Sequence, residues 1–170
     1  MMAVNDGYKY KGEDFIYLVE IEVDDEKALA RPFDQTSGST AMEVDELEIG
    51  TKDRTGTDYG DVEETISLEG EIVYKDPFIK AMKKAIRNKQ FVKIYEVDTV
   101  TKEAEYGMYM ISSFEREFEH GEFATYSLEG NLFGEVCETK LTEIPEGAPE
   151  FEDMECDNGW LFHSQCSKML

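Results

Sequence analysis

Thr65-Ile66-Ser67-Leu68-Glu69-Gly70 is written twice in this chain: sixty residues on, the sequence reads Thr125-Tyr126-Ser127-Leu128-Glu129-Gly130. Five of the six positions are identical, and the sixth stays bulky. Each copy follows a glycine–acid pair (Gly60-Asp61, Gly121-Glu122), and an aliphatic residue stands two places past its last glycine (Ile72, Leu132). With a period of two, Ile66, Leu68, Gly70 and Ile72 share one face, and Thr65, Ser67, Glu69 and Glu71 share the other. That pattern is a half-buried β-strand. Tyr126, Leu128 and Leu132 repeat it in the same phase, so the two copies are expected as equivalent strands of one β-structure.

The neighbouring segments carry the same texture. Phe15–Val23 alternates Phe15, Tyr17, Val19, Ile21 and Val23 against Ile16, Leu18, Glu20 and Glu22, which is a strand. Asp24-Asp25-Glu26 turns the chain, and 29–33 offers a short return strand. After the first repeat, Asp76 suits a helix N-cap and Pro77 the first helical position. Phe78, Ile79, Met82 and Ile86 then form an apolar stripe, so a helix is expected over 76–89. Phe91–Val97, Tyr106–Ser112, Phe114–Phe118 and a weaker Val136–Ile144 read as further strands. Asp98-Thr99-Val100-Thr101-Lys102 makes a hairpin turn between the first two. The fold class expected is mainly β, a β-sandwich or barrel with one flanking helix and a long early loop. It spans 1–149, and 150–170 forms an extension of uncertain structure.

Asp34–Glu63 is the early loop. Only Val44, Leu47 and Ile49 hint at a strand there, and nine Asp or Glu stand against Lys52 and Arg54. Two readings remain open: a solvated loop, or a hairpin arm that orders on a partner.

Charge narrows the functions. The 170 residues hold 39 acids against 17 Lys and Arg, a formal charge of −22, which repels nucleic acid and argues against an ordinary DNA or RNA reader. With 41% hydrophobic and 12% aromatic residues, the chain is a folded acidic protein rather than an acidic tail. The start, Met1–Gly7, has no basic region leading into an apolar core, so no signal peptide is expected, and no run approaches the roughly 18 apolar residues of a membrane span. Six of the 17 cations nevertheless fall between Lys75 and Lys89. Lys80, Lys83, Lys84 and Arg87 give the helix a basic face, either solvated or a dock for an acidic neighbour.

Chemical motifs are sparse. There is no phosphate loop and no nucleophile elbow. His120-Gly121-Glu122 opens a zinc deaminase signature that nothing completes. Asp53–Gly56 and Asp58–Gly60 are fragments of a calcium loop with the wrong oxygen spacing. Cys156, His163 and Cys166 lack metal-binding spacing, and three cysteines make a poor disulfide framework. No catalytic residue, metal or cofactor is expected.

The strand Asp14–Val23, the polar loop after it, Glu64–Leu68, the helix, Phe91–Asp98 and Thr125–Leu132 together resemble the major tail (tail tube) proteins of long-tailed phages, of the TP901-1 kind. The resemblance covers residues 5–145. It implies a structural virion protein, made and assembled in the host cytoplasm, whose partner is itself. Six copies join their sheets into a ring, and rings stack into a tube with an acidic channel through which DNA passes without specific binding. Six copies at −22 each carry −132, enough to keep a polyanion from adhering. Tape measure, tail terminator and distal tail proteins are implied as further partners, and no membrane.

On this resemblance the early loop becomes the ring-to-ring contact, with Ser37, Ser39, Met42, Leu47, Ile49, Asp53, Arg54 and Tyr59 as contact residues. Glu69, Glu71 and Glu129 become candidate channel acids. The basic helix becomes an outer or intersubunit flank. Two readings of other classes compete: an acidic inhibitor that mimics DNA, and a small-ligand β-barrel using Tyr106, Tyr109 and Phe123.

Overall fold

A computed structural model describes residues 7–23, 26–32 and 34–145. Seven strands, β1 (Phe15–Val23), β2 (Glu26–Ala30), β3 (Gln35–Gly50), β4 (Thr55–Glu71), β5 (Val92–Asp98), β6 (Glu103–Glu117) and β7 (Thr125–Lys140), form one antiparallel sheet in the order β2-β1-β5-β6-β7-β4-β3. Helix α1 (Pro77–Arg87) links β4 to β5. The expected β-sandwich or barrel with one helix is therefore found in its barrel-like form, a single curled sheet.

Curling brings β3 back to β1, and a side chain fastens the seam. β2 pairs with β1 only from Val19 onward, which leaves the start of β1 without a strand on that side. Gln35 fills the place: its Oε1 accepts the Tyr17 N–H at 2.9 Å and its Nε2 donates to the Tyr17 carbonyl at 2.9 Å. A carboxamide presents an N–H and a C=O side by side as a peptide group does, so it substitutes for one rung of a ladder, and its second N–H is aimed at the Pro32 carbonyl at 3.2 Å. Beside it, the Tyr17 hydroxyl lies 3.0 Å from Thr40 Oγ1, and its ring occupies the space over Gly38 where a Cβ would come within 2.2 Å of Cε2.

Inside the curl, Tyr17, Val19, Ile66, Leu68, Ile94, Tyr109, Tyr126 and Leu128 pack with Phe78 and Met82 of α1. A second cluster lies on the opposite face of β1 and β5, where Ile16, Leu18, Val97 and Ala104 pack with Leu29, Leu141 and Ile144. β1 is thus buried on both faces, which its nearly continuous apolar sequence allows.

The repeated strands are neighbours. β4 pairs with β7 so that Leu68 stands opposite Leu128, Ile66 opposite Gly130, and Gly70 opposite Tyr126. The six-residue repeat is therefore a local two-fold centred on the two leucines, although the glycines differ: Gly70 gives room to Tyr126, whereas Gly130 faces Ile111, Met110 and Tyr109 of β6. At Gly70 the room is needed, because a Cβ would stand 2.5 Å from the Tyr126 hydroxyl and 2.8 Å from the Asp34 carbonyl.

Several expectations change. The early loop is ordered as the β3–β4 hairpin, held by pairs from Gln35–Gly70 out to Gly50–Thr55. Its sequence hid this because both faces of the outer half are exposed, so no alternation of burial marks it. The return strand is Glu26–Ala30, earlier than expected. Tyr106–Ser112 and Phe114–Phe118 are one strand, β6, broken only by a register shift between Ile111 and Ser113. The second repeat and the expected last strand are likewise one strand, β7.

The helix ends at Arg87, two residues short of Lys89. Gln90 N–H donates to the Ala85 carbonyl and Lys89 N–H to the Ile86 carbonyl, a Schellman closure that places Lys89 at φ 54°. Its start is as expected, with Asp76 Oδ1 accepting the Phe78 N–H at 2.9 Å. The N-terminal stretch is pinned from within the chain: Tyr10 donates to Asp98 at 2.7 Å, and Tyr8 to Asp14 at 3.0 Å. The expected extension over 150–170, with Cys156, His163 and Cys166, lies outside the described residues.

Candidate assembly surfaces

Four surfaces follow from this geometry. The first is the face of β4 and β7 turned away from the core. Pairing sets Ser67 against Glu129 and Glu69 against Ser127, so each repeat places its acid opposite the other's serine. Like charges directly across a ladder are avoided there. β3 and β6 extend this face with Ser37, Ser39, Ser113 and Glu115, in register with Glu69, Ser67, Glu129 and Ser127. Ser37 Oγ donates to Glu69 Oε2 at 2.8 Å. Glu69 and Glu129 are exposed and Glu71 is half-buried. All three candidate channel acids thus share one hydroxyl- and acid-rich face over an apolar interior.

The second surface is the outer half of the hairpin. β7 covers β4 only from Thr65 onward, so Glu43–Glu63 projects as a two-stranded arm. Met42, Leu47, Tyr59 and Val62 are 66%, 55%, 79% and 56% exposed, so the arm carries apolar side chains on its surface. A register shift between Val44 and Glu46 turns the apolar stripe over along it. Met42, Val44 and Val62 continue the core side, while Leu47 and Ile49 fall on the other. Of the eight expected contact residues, Leu47, Ile49, Asp53, Arg54 and Tyr59 lie on the projecting part and Met42 at its root. Ser37 and Ser39 belong to the polar sheet face instead.

The third surface is α1. Phe78 and Met82 are buried, Ile79 and Ile86 half-buried, and Lys80, Lys84 and Arg87 are exposed beside the half-buried Lys83. Among the described residues the ion pairs are Lys11–Glu13, Lys27–Glu20 and Lys93–Glu20, so none of these four cations has an ion-pair partner among them.

The fourth is an acid-rimmed end that sequence reading missed. Glu96, Glu105 and Glu138 stand directly opposite one another across β5, β6 and β7, a relation only strand register reveals. Glu64 lies near them; burial, then repulsion from Glu105 and Glu96, raises its pKa above the usual carboxylate range. Burial, foremost, also pushes the Tyr17 and Tyr109 hydroxyls up to about 12. Asp98 moves the other way. Desolvation raises its pKa, but bonds from Tyr10 and from the Thr101 and Val100 amides outweigh that and hold it low.

No small-molecule site emerges from the aromatics. Tyr109 is core, Tyr106 lies on the opposite face against Tyr95, and Phe123 is 79% exposed, so the three do not share a cavity. The ligand-barrel reading falls with them. Among the described residues no group of three or more His, Cys, Asp or Glu is placed to hold a metal.

The family model described as phage tail tube protein matches residues 9–138. The chain belongs to the phage tail tube protein family. Solved structures of similar fold include the tail tube of SPP1, at 19% identity and TM-score 0.67 over 79% of this chain and 81% of that one. The tail of an empty gene transfer agent particle, refined with C6 symmetry, matches at 12% identity and TM-score 0.65 over 77% of this chain and 99% of that one. The sheath–tube complex of an extracellular contractile injection system matches at 14% identity and TM-score 0.54, over 81% and 96%. No curated protein sequence matches the chain.

This tail tube protein is thus a structural component of the virion tail, and the DNA-mimic reading is set aside. No helix among the described residues is long and apolar enough to cross a membrane.

Proposed function

We propose that six copies of this tail tube protein close into a ring, that rings stack, and that the face bearing Glu69, Glu71 and Glu129 lines the channel. The observation that carries this is β3. It is 16 residues long, forms an edge of the sheet, and pairs only with β4 among the described residues. A long open edge is a liability in a monomer and a ready contact in a polymer. The C6 symmetry of the gene transfer agent tail supports the number six. A face of hydroxyls and acids backed by an apolar core suits a wall along which DNA slides, since fixed negative charge repels the phosphate backbone.

The projecting arm is the ring-to-ring contact, and burial of its exposed apolar residues on an adjoining ring supplies the driving force. Tape measure, tail terminator and distal tail proteins complete the set of partners.

Electron microscopy of the purified, concentrated protein tests the assembly. Six-membered rings or tubes of constant width are expected; a chain that stays monomeric even beside its tail-tip nucleus overturns the proposal. For the channel, reversing Glu69, Glu71 and Glu129 together should slow DNA exit more than it harms assembly. Unchanged exit with normal tubes removes these acids from the wall.

A further inference from the structure

Two charge patterns without ion-pair partners among the described residues lie at opposite ends of the strands, though the Thr40 and Tyr17 hydroxyls donate to Glu96 in one of them. β5 starts just after α1 and ends at Asp98, where a groove is lined by Glu96, Asp98, Glu103, Glu105 and Glu138, with Lys140 on its margin. The arm projects toward this same end, because β4 runs antiparallel to β7 and reaches Thr65 opposite Asn131 on its way out from the arm. α1 sits at the other end, between the last residue of β4 and the first of β5. Glu96, Glu105 and Glu138 face one another across the ladder, and none has an ion-pair partner among the described residues. A row of like charges in register costs stability unless something neutralises it.

We infer that the basic face of α1 in one copy lies across the acidic groove of a copy in the adjoining ring. The contact rests on the tube reading and adds a second axial joint beside the arm. Its spacing fits. Three acids on neighbouring strands repeat every ~4.8 Å and span about 10 Å. Lys80, Lys83, Lys84 and Arg87 stand at i, i+3, i+4 and i+7 of one helix face, and seven residues of helix rise about 10.5 Å. The helix therefore lies across the strands, each turn offering a cation to one strand's carboxylate. Groove and helix are different patches, so the contact is heterologous and repeats without limit along an axis, as stacking requires.

A charge exchange tests it. Lys80→Glu with Lys84→Glu, and separately Glu105→Lys with Glu138→Lys, should each lower the protein in sedimentable tubes by about tenfold while single rings persist. All four changes in one chain should restore tubes. Wild-type stacking should also weaken in 1 M salt, where the screening length falls to about 3 Å. Normal tubes from either two-site variant, or no rescue in the four-site one, overturn the contact and leave the tube reading standing. A wild-type chain forming neither rings nor tubes overturns both. Should the reversed chains fail to fold, Lys80→Gln with Lys84→Gln decides by the salt concentration that dissolves half the tubes: a lower value is expected, and an unchanged one overturns the contact.

Discussion

Gly70 and Tyr126 show how a single position carries the repeat. Gly70→Ala would drive a methyl into the Tyr126 hydroxyl and the Asp34 carbonyl, at a cost of roughly 1–3 kcal/mol as overpacking. The expected result is a clearly lower melting temperature. Adding Tyr126→Phe should return part of the loss, because the buried hydroxyl is the nearest obstacle and has no hydrogen-bond partner among the described residues. A second residue-scale expectation concerns Glu64. Its folded pKa is raised, so the native state holds that proton more tightly than the unfolded chain does. The stability it lends is complete below the unfolded glutamate value of about 4.3 and is lost as pH rises through its folded pKa. Glu64→Gln should therefore raise the melting temperature at pH 7, and the gain should shrink as pH falls through the raised folded pKa and vanish below about 4.3. A gain that grows toward acid would reverse this assignment.

The elements differ in how far they could be read. β1 and the start of α1 were legible because their signals are local: alternation in one case, an Asp-Pro cap with an apolar stripe in the other. The end of α1 was not, since Lys80–Lys89 continues as good helix-forming sequence and the stop is made by backbone closure at a non-glycine residue. Lys89 in the left-handed region carries strain of about 1 kcal/mol that glycine would not. Lys89→Gly should raise the thermal midpoint without altering helical circular dichroism, and a fall would show that the lysine makes a compensating contact. The arm was illegible for the opposite reason. Its outer residues pair only with each other, so hydrogen bonding shapes it while burial leaves no period to detect. The face shared by Glu69, Glu71 and Glu129 was readable from the repeat, whereas the Glu96–Glu105–Glu138 row was not, because its members come from three strands with no sequence relation.

For the whole molecule, strand register tells how the arm can be removed cleanly. Glu43 pairs with Glu63, so deleting 44–62 and joining these two through Asn-Gly leaves every pair nearer the core intact. Such a chain should unfold within a few degrees of the parent and still close rings, yet fail to stack them. Full-length tubes from it would take the ring-to-ring role away from the arm.

Gln35 has a kinetic consequence. The barrel seam at Tyr17 is closed by one side chain rather than by a strand, so its backbone amide is shielded by a group that can swing away on a single rotamer change. In hydrogen–deuterium exchange, Tyr17 should lose protection far sooner than the amides of β5 and β6 at the middle of the sheet, and Gln35→Ala should bring its rate close to that of an exposed loop. The seam would then be where the closed subunit first breathes open.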